Sequence, residues 1–499
     1  MTASHLPNIQ RGGACSNCRR RKLRCDGDRP SCSQCLNRPP RSKQPCQFEQ
    51  ERAHGHQTPS QMQGTIKTLL SKVHDLERSR VSPTPEPDEA QILDFQEPTP
   101  EIAAELITAF LEKFAHSGHF FLDLTRFAQS ALLPLPFGHP SRPSPALLSV
   151  IYLWGSLLST SIPHHSNDST KTFLCVTLQN LPADIRGFAI HPKLVLETIQ
   201  AEILLSIYYL HSALPTQGRY HAATAASLAI SAGLHILRRV PIPNHCLSNP
   251  QFPVSESLLP PTEDPIEAVE RIDAFWATVI VNNCWVAVQG SPSAIPGDMT
   301  VDTPWPGGIL VGATLSRFLK GQETDGETST SLALFSKASV LLERVCSLNA
   351  GRMLDDSVVR SALDNRLSAF QSSLTPPTPI ASDRALVFAH AFSDLAILRF
   401  HSPHLRNSEH SRYQALAAAT RMVSVVSLAT WGDPLYAPIC SAACAVFLDE
   451  LASLRSTHAN PSVLPEYQQT EQNLKWTMNT MRNFATSSPI FQRCVAAMQ

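Results

Sequence analysis

The sequence predicts an all-α protein with a small cysteine-rich module at its N-terminus, and three observations support this fold class. From residue 102 onward, apolar residues recur three and four positions apart, which is the period of a helix with one buried face. Convincing strand alternation is absent from the same region. Six of the 13 cysteines are crowded between Cys15 and Cys46, where few apolar residues are available to form a core.

The cysteines of this module are regularly spaced, in the order Cys15-x2-Cys18-x6-Cys25 and then Cys32-x2-Cys35-x10-Cys46. Disulfides are not expected, because disulfide frameworks belong to secreted chains and the start MTASHLPNIQRGG lacks an apolar signal region. Buried free cysteines need a surrounding core, yet Leu23 and Leu36 are the only large apolar residues here. Metal ligation by thiolates remains, and Cys-x2-Cys pairs suit tetrahedral zinc.

Six cysteines are too few for two separate four-coordinate sites, but they suffice if two thiolates bridge two zinc ions. Residues 1–46 contain ten Lys and Arg and two acids, although the whole chain has a net charge of −1. Such concentrated positive charge is typical of a module that binds a phosphate backbone. A solvated basic face or an import signal is the alternative interpretation, and both roles can coexist.

With these features, residues 12–48 resemble the fungal Zn2Cys6 binuclear cluster, whose pattern is CxxC-x6-C-loop-CxxC-x6–8-C. The resemblance implies that the six cysteines bind two Zn2+ ions and that Cys15 and Cys32 are the bridging ligands. Pro30 stands at the position of the family's loop proline, and Phe48 stands where an aromatic residue often follows the last cysteine.

The final spacing departs from the family pattern, since ten residues separate Cys35 from Cys46. Extra loop length costs little entropy, so Cys46 is kept as a ligand, with His54 and His56 as fallback donors. The module is too short to bury a core. Zinc is therefore expected to supply its folding free energy, and chelation is expected to unfold it.

The basic run favours binding of duplex DNA. Residues 16–23 are predicted to form a short helix that enters the major groove end-on. By the resemblance, Arg21 and Lys22 contact bases and favour CGG triplets through guanine O6 and N7. The other basic residues of the run are predicted to contact phosphates: Arg19, Arg20 and Arg24. RNA readers usually interleave aromatic residues, which are absent from this run, and metal buffering does not need the basic residues.

Residues 49–101 are predicted to form a linker with a short coiled coil at 66–79. Its a/d positions are occupied by Ile66, Leu69, Val73 and Leu76. Two heptads are marginal alone, but members of the resembled family commonly dimerise here, so a homodimer is favoured over a plain linker helix. Residues 81–101 are acidic and Pro-rich. A linker role is favoured there over an activation segment.

Residues 102–499 are predicted to form a large all-helical regulatory body, with Pro-rich loops at 134–145, 241–265 and 291–306. This body resembles the fungal-specific transcription factor domain, or middle homology region, over roughly residues 102–400. The matching residues are Gln200, Ala201, Leu204, Leu205, Ala232 to His235, Phe275, Trp276, Gly290 and Pro292. The departures are Asn282, Asn283 and Ser291, which put any polar network or effector contact at these positions in doubt.

The sequence contains no pattern for a membrane span or for catalysis. No apolar run reaches about 18 residues; residues 146–158 come nearest, and a soluble chain is expected. There is no His-Glu-x-x-His, phosphate loop or nucleophile elbow. Several residues are therefore interpreted as core or surface residues: His116, His119, His221, His235, Cys440, Cys444, Trp276 and Trp285. For the two cysteines a metal site is the alternative, and for the two tryptophans the wall of an effector pocket.

Together these patterns predict a nuclear, zinc-dependent regulator of transcription that binds double-stranded DNA and the transcription machinery and is not an enzyme. The expected targets are metabolic or secondary-metabolite genes, and a small-molecule effector is possible. The alternative hypothesis is a helical enzyme or ligand sensor that the zinc cluster merely localises to nucleic acid.

Overall fold

The computed structural model describes residues 14–20, 22–23, 25–26, 28–36, 46, 95–159, 167–188, 191, 193–237, 259–308, 312–322, 330–353, 356–376, 383–429 and 431–498. The chain divides into two compact units, Met1–Asp88 and Glu89–Gln499. No strand occurs within these described residues. The predicted all-α fold is therefore confirmed.

The N-terminal unit contains two short helices, α1 (Ser16–Arg20) and α2 (Ser33–Leu36). Each helix carries the second cysteine of a Cys-x2-Cys pair, Cys18 in α1 and Cys35 in α2, and both cysteines are buried. The prediction of a helix over residues 16–23 was too long, because α1 ends at Arg20.

The second unit is a helical body whose helices are, in chain order, α3 (Pro100–Phe114), α4 (Leu124–Ala131), α5 (Pro145–Leu158), α6 (Asn167–Arg186), α7 (Lys193–His211), α8 (Pro215–Ser231), α9 (Pro265–Gln289), α10 (Thr314–Leu319), α11 (Ser331–Asn349), α12 (Ser357–Ser373), α13 (Arg384–His401), α14 (Glu409–Val426), α15 (Tyr436–Thr457), α16 (Pro465–Ala485) and α17 (Pro489–Ala496). Short 3-10 helices occur at Leu234–Ile236, Ser402–His404 and Pro461–Val463.

Proline and short polar side chains determine where these helices begin. Six of the helices listed above start with proline, whose missing N–H and fixed φ suit the first helical position: α3, α5, α8, α9, α16 and α17. Others begin after a residue whose side chain accepts a backbone N–H of the first turn, such as Asp123, Thr330 and Ser408. Six of the 40 prolines therefore initiate α-helices and do not occupy loops.

The body is a stack in which each helix packs mainly on those close to it in sequence. Helices α9, α11, α13, α14 and α15 follow one another in contact, and α7 packs on α5, α8 and α9. The C-terminus returns to α7, where the ring of His211 contacts the carbonyl of Ser487 at 3.2 Å. A continuous aromatic and aliphatic core runs through these layers, with Trp154, Phe335 and Phe388 fully buried.

One helix, α15, is long and apolar enough to cross a membrane by length and composition alone, and 61% of its most apolar window is buried inside the body. A core helix of a helical protein passes the same test. The expectation that residues 146–158 come nearest to a membrane span was wrong, because Asp449 and Glu450 interrupt the apolar run of α15 and conceal it in the sequence.

The last residues of the predicted linker lie against the body. The carboxylate of Glu97 accepts hydrogen bonds from Arg142 at 2.5 Å and from the Tyr152 hydroxyl at 2.6 Å. The ring of Phe95 lies 5.3 Å from that of Phe137 and 6.4 Å from that of Phe173. Residues 95–99 therefore contribute to the core of the body, although their composition resembles that of the preceding linker.

Candidate metal centre and nucleic-acid interface

The N-terminal module has a core made of sulfur. Cys15, Cys18, Cys25, Cys32 and Cys35 are buried, and the only partly buried apolar side chains against them within the described residues are Ala14 and Cys46. Leu23 and Leu36, which could have formed an ordinary apolar core, are 50% and 57% exposed. The polypeptide of this module has little apolar surface to bury, so another interaction must stabilise it.

The sulfur atoms lie at separations that suit a shared metal site. The Sγ–Sγ distances are 3.8 Å for Cys15–Cys32, 3.9 Å for Cys15–Cys35, 3.6 Å for Cys18–Cys32 and 4.0 Å for Cys18–Cys35. Tetrahedral zinc with Zn–S bonds of about 2.3 Å holds its sulfurs about 3.8 Å apart. These four cysteines therefore form a group able to hold a metal ion.

The two remaining cysteines reach the same centre through Cys32. The Sγ of Cys46 lies 3.8 Å from that of Cys32, so the long ten-residue gap does not remove Cys46 from the cluster. Cys25 forms a second potential metal-binding group with Asp26 and Cys32. Cys32 is thus the sulfur that the other ligands surround.

Proton and metal compete for these thiols. Burial raises the pKa of Cys18 to about 12 and also raises the pKa of Cys32. In the metal-free module these groups are therefore thiols, and zinc binding must displace their protons. The backbone N–H of Cys18 points at the Sγ of Cys15 at 3.4 Å, an arrangement that stabilises a thiolate there.

Helix α1 ends in a Schellman motif that determines the position of Lys22. The N–H of Leu23 donates to the carbonyl of Cys18 at 3.0 Å, and the N–H of Lys22 donates to the carbonyl of Arg19 at 3.2 Å. Lys22 has a φ of 55°, the left-handed conformation that glycine usually supplies at this position. The chain therefore leaves the helix axis after one turn, which explains why α1 is shorter than the helix predicted over 16–23.

The basic residues that the structure describes lie on the surface of this module. Arg19, Arg20 and Lys22 are exposed, and the guanidinium of Arg19 donates to the carbonyl of Ala14 at 3.3 Å. Arg21 and Arg24 lie outside the described residues. The exposed cations surround the C-terminal end of α1, where a polyanion can reach them.

The predicted dimerisation residues also lie outside the described residues: Ile66, Leu69, Val73 and Leu76. Sequence reasoning missed Asp26, whose carboxylate accepts the N–H of Ser33 at 2.9 Å and that of Asp28 at 3.3 Å. An Asp one residue after a cysteine ligand and before a second Cys-x2-Cys helix is a signal that could have indicated such a cap.

The polar residues singled out in the body lie in packed or capped environments. His119 is fully buried against Phe335 and Phe388, and burial lowers its pKa to about 3, so its ring is neutral. The ring of His221 contacts Glu202 at 2.6 Å. These histidines lie in helix packing, as interpreted from the sequence.

The remaining candidates show the same pattern. The indole N–H of Trp276 donates to the carbonyl of Pro304 at 2.7 Å, and that of Trp285 donates to the Ser206 hydroxyl at 2.6 Å. Cys440 and Cys444 are buried, and neither belongs to a group of potential metal ligands within the described residues.

Asn282 and Asn283, which depart from the resembled family's pattern, form a hydrogen-bond network. Asn282 donates to the Ser293 hydroxyl at 2.8 Å and accepts the N–H of Ala294 at 2.9 Å, and its amide also donates to Asn283 at 3.0 Å. Asn283 lies 3.5 Å from the Ser339 hydroxyl. The loop after α9 is therefore attached to its helix by the neutral amide of Asn282, which Asn283 supports.

A cluster of six cysteines, five of them buried, with an exposed basic helix end is typical of the class of zinc-cluster modules. Residues 13–53 match the family model described as the fungal Zn(2)-Cys(6) binuclear cluster domain. The N-terminal module is therefore a zinc- and DNA-binding domain of this kind, and its cofactor is two zinc ions.

The chain is also similar to an uncharacterized transcriptional regulatory protein of Schizosaccharomyces pombe, with 34% identity over 88 residues. The match covers 18% of this chain and 11% of that relative, so only a small part of the relative's length is shared.

Proposed function

We propose that this protein is a nuclear, zinc-dependent regulator that binds specific sites in duplex DNA and controls transcription by RNA polymerase II. The observation that carries the proposal is the group of buried sulfurs beside exposed Arg19, Arg20 and Lys22. The family match of residues 13–53 and the similarity to a transcriptional regulatory protein support it. The chemistry is recruitment, and no catalytic step is assigned to the chain.

Within the metal centre, Cys15 and Cys32 are proposed to bridge the two zinc ions. The central position of Cys32 among the other sulfurs supports this assignment. Cys18 and Cys25 then complete one metal site and Cys35 and Cys46 the other, which gives each zinc four sulfur ligands.

At the DNA surface, Arg21 and Lys22 are proposed to contact guanine in CGG-type half-sites, while Arg19, Arg20 and Arg24 contact phosphates. The exposed Schellman turn at Lys22 supports this arrangement, because it presents a flexible cation at the tip of a rigid, metal-bound helix. Ile66, Leu69, Val73 and Leu76 are proposed to pair two chains. The helical body is proposed to be a middle homology region that controls a metabolic gene set.

Site selection from a randomised duplex library with the full-length, zinc-loaded protein tests the proposal. Enrichment of two CGG triplets at a fixed spacing is expected, with affinity that falls steeply as salt rises. The matched control is the Cys32→Ser protein, which should lose zinc and enrichment together. No enrichment with two zinc ions still bound per chain contradicts sequence recognition by this module. Binding that prefers single-stranded RNA contradicts the choice of duplex DNA.

A further inference from the structure

The helical body contains a cavity that the proposed DNA-binding function does not use. It has a volume of about 710 Å³ and lies between the loop at 297–301, helix α10, the C-terminal part of α11 and helix α12. Pockets for small organic ligands typically have volumes of about 300–1,000 Å³. The cavity is therefore large enough for a small molecule.

Most of its wall is apolar. The side chains that form the wall include Met299, Val301, Leu315, Leu319 and Leu363. Leu363 and Val301 are buried in the core, so this surface is continuous with the interior of the body. An apolar ligand body of appropriate size can replace water against this wall, and covering apolar surface in this way favours binding.

The charges of the wall are mainly positive. Among the described residues, Lys320, Arg344 and Arg366 line the cavity, and Asp298 is the one acidic side chain of this lining. The Glu343 carboxylate also lies nearby, 3.8 Å from the Nε of Arg344. Three cations beside one carboxylate make the described part of the lining predominantly basic next to an apolar surface. Such a combination favours a ligand with one apolar end and one anionic end.

Both arginines are held in place. Arg344 donates to the carbonyl of Gly297 at 3.2 Å, while its Nε is buried and makes no hydrogen bond within the described residues. The guanidinium of Arg366 lies 4.2 Å over the ring of Phe318, which fixes its plane. Positioned guanidinium groups match carboxylates well because their N–H donors form a planar fork.

The loop that forms one side of the cavity is also fixed. Asn282 accepts the N–H of Ala294, and the Ser293 hydroxyl accepts the N–H of Ile295 at 3.0 Å. This attachment lies immediately before Gly297, whose carbonyl contacts Arg344. The wall is thus formed before a ligand arrives, which lowers the entropic cost of binding.

We propose that this cavity binds a small amphipathic carboxylate. Its apolar body lies against Val301, Leu315 and Leu363, and its carboxylate faces Arg344 and Arg366, with Lys320 at the mouth. The inference concerns the helical body alone and does not depend on the proposed DNA-binding function.

Competition with a fluorescent probe tests the proposal on the full-length, zinc-loaded protein without DNA. The protein is first loaded with 8-anilinonaphthalene-1-sulfonate, which is itself an amphipathic anion, and then titrated with decanoate or with decanol. The two competitors share one chain length and differ in charge. Decanoate is expected to displace the probe at a concentration at least about tenfold lower, the factor given by one hydrogen bond to a charged group.

Three variants locate the site. Arg366→Met retains the apolar stem and should remove most of the preference for decanoate. Arg482→Met, at an exposed position on α16, removes the same charge elsewhere and should change nothing. Ala362→Phe adds bulk at an exposed position on the cavity wall and should weaken the binding of decanoate and decanol equally.

Each variant must first unfold at the same temperature as the wild-type protein, which shows that it is folded. The binding results then test the ligand specificity and the location of the site separately. Equal affinity of the wild-type protein for decanoate and decanol overturns the anionic specificity. Probe displacement that neither Arg366→Met nor Ala362→Phe alters overturns the location. Loss of DNA binding has no bearing on either result, so failure of the proposed function and failure of this inference remain distinguishable.

Discussion

The carboxylate of Asp26 accepts the backbone N–H of Ser33 at 2.9 Å and so joins the two halves of the cysteine cluster. Ser33 is the first residue of α2, where backbone N–H groups lack partners within the helix. The bond holds α2, which carries Cys35, beside the chain that carries Cys25. A protein contact therefore supports the ligand arrangement independently of the metal.

Replacement of Asp26 by alanine should weaken zinc retention. Loss of a helix-capping side chain typically costs about 0.5–2 kcal/mol, and folding and metal binding are coupled in this module. The measurement is release of zinc to a colorimetric chelator at increasing chelator concentration. Asp28→Ala removes the same charge from an exposed position and serves as the control. Equal zinc release from the two variants would contradict a capping role for Asp26.

Removal of zinc should unfold the N-terminal module and leave the body folded. The module has a sulfur core, whereas all six tryptophans of the chain lie in the body, the first at Trp154. Tryptophan fluorescence and most of the helical circular dichroism are therefore expected to persist after chelation, while DNA binding is lost. A large change in tryptophan fluorescence upon chelation is the contrary result.

Two substitutions of Lys22 separate the effect of its backbone conformation from the effect of its charged side chain. Its φ of 55° is a conformation that costs a non-glycine residue about 1–2 kcal/mol. Lys22→Gly should therefore retain zinc at least as well as wild type, whereas Lys22→Ala keeps the strained backbone. Both substitutions remove the cation and are expected to reduce discrimination between CGG and altered triplets.

To compare the Lys22 variants with wild type, their affinities for a specific duplex and a random duplex are measured at one salt concentration. Arg24→Ala, at a predicted phosphate contact, should lower the affinity for both duplexes by the same factor. Equal losses on specific and random DNA for Lys22→Gly would show that Lys22 contacts the backbone and not the bases.

Gln200 holds a loop of the body in place. Its side chain is fully buried, accepts the N–H of Phe121 at 2.9 Å and donates to the carbonyl of His119 at 2.8 Å. Gln200→Leu leaves both backbone groups buried without a partner. The expected loss in free energy of unfolding is about 2–5 kcal/mol, measured by denaturant titration with tryptophan fluorescence.

The control for this measurement is Gln468→Leu, since Gln468 is exposed and donates to the carbonyl of Ser462 at 3.0 Å. Its effect should stay within about 0.5 kcal/mol. If the two substitutions cost the same, the buried amide does not have the role assigned to it.

Asp273 should make the stability of the body depend on pH. Burial, and next the charge of Glu270, raises the pKa of Asp273 from 3.8 to about 7. The folded state thus binds a proton more tightly than the unfolded chain. The resulting stabilisation is complete below the unfolded value and is lost as the pH rises through about 7.

Asp273→Asn keeps the shape of the side chain and removes its ionisable carboxyl group. It should raise the free energy of unfolding at about pH 8 by at least about 1 kcal/mol and flatten its pH dependence above about pH 5. Thermal unfolding followed by tryptophan fluorescence measures both effects. Asp449→Asn, at an exposed position of α15, is the matched control. An unchanged pH profile for Asp273→Asn contradicts the prediction.

The cluster could be predicted from the sequence because its ligands are close in the chain. Cys15, Cys18, Cys32 and Cys35 have a spacing that zinc geometry restricts, and the distances between their sulfurs agree with it. The end of α1 could not be predicted, because Lys22 adopts a conformation that its residue type disfavours. Backbone hydrogen bonds from Leu23 to Cys18 and from Lys22 to Arg19 hold that turn against local propensity.

In the body, the helical period predicted the principal helices, but the roles of single polar residues depended on distant partners. The sequence placed Glu97 in an acidic linker, whereas its charge is paired with Arg142, 45 positions away. Asn282 and Asn283 were departures from a family pattern in the sequence. In the fold, Asn282 holds the loop that leads into one wall of the cavity, and Asn283 bonds to Asn282.

By itself, the sequence determined the helical class, the six-cysteine cluster and the concentration of positive charge beside it, since each depends on residue types at short spacing. Only the tertiary structure decided that Arg344 and Arg366 line one apolar cavity and that Gln200 holds residues 119–121. Those relationships join side chains to residues on other helices or loops, and they follow from how the elements pack, which short-range periodicity does not specify.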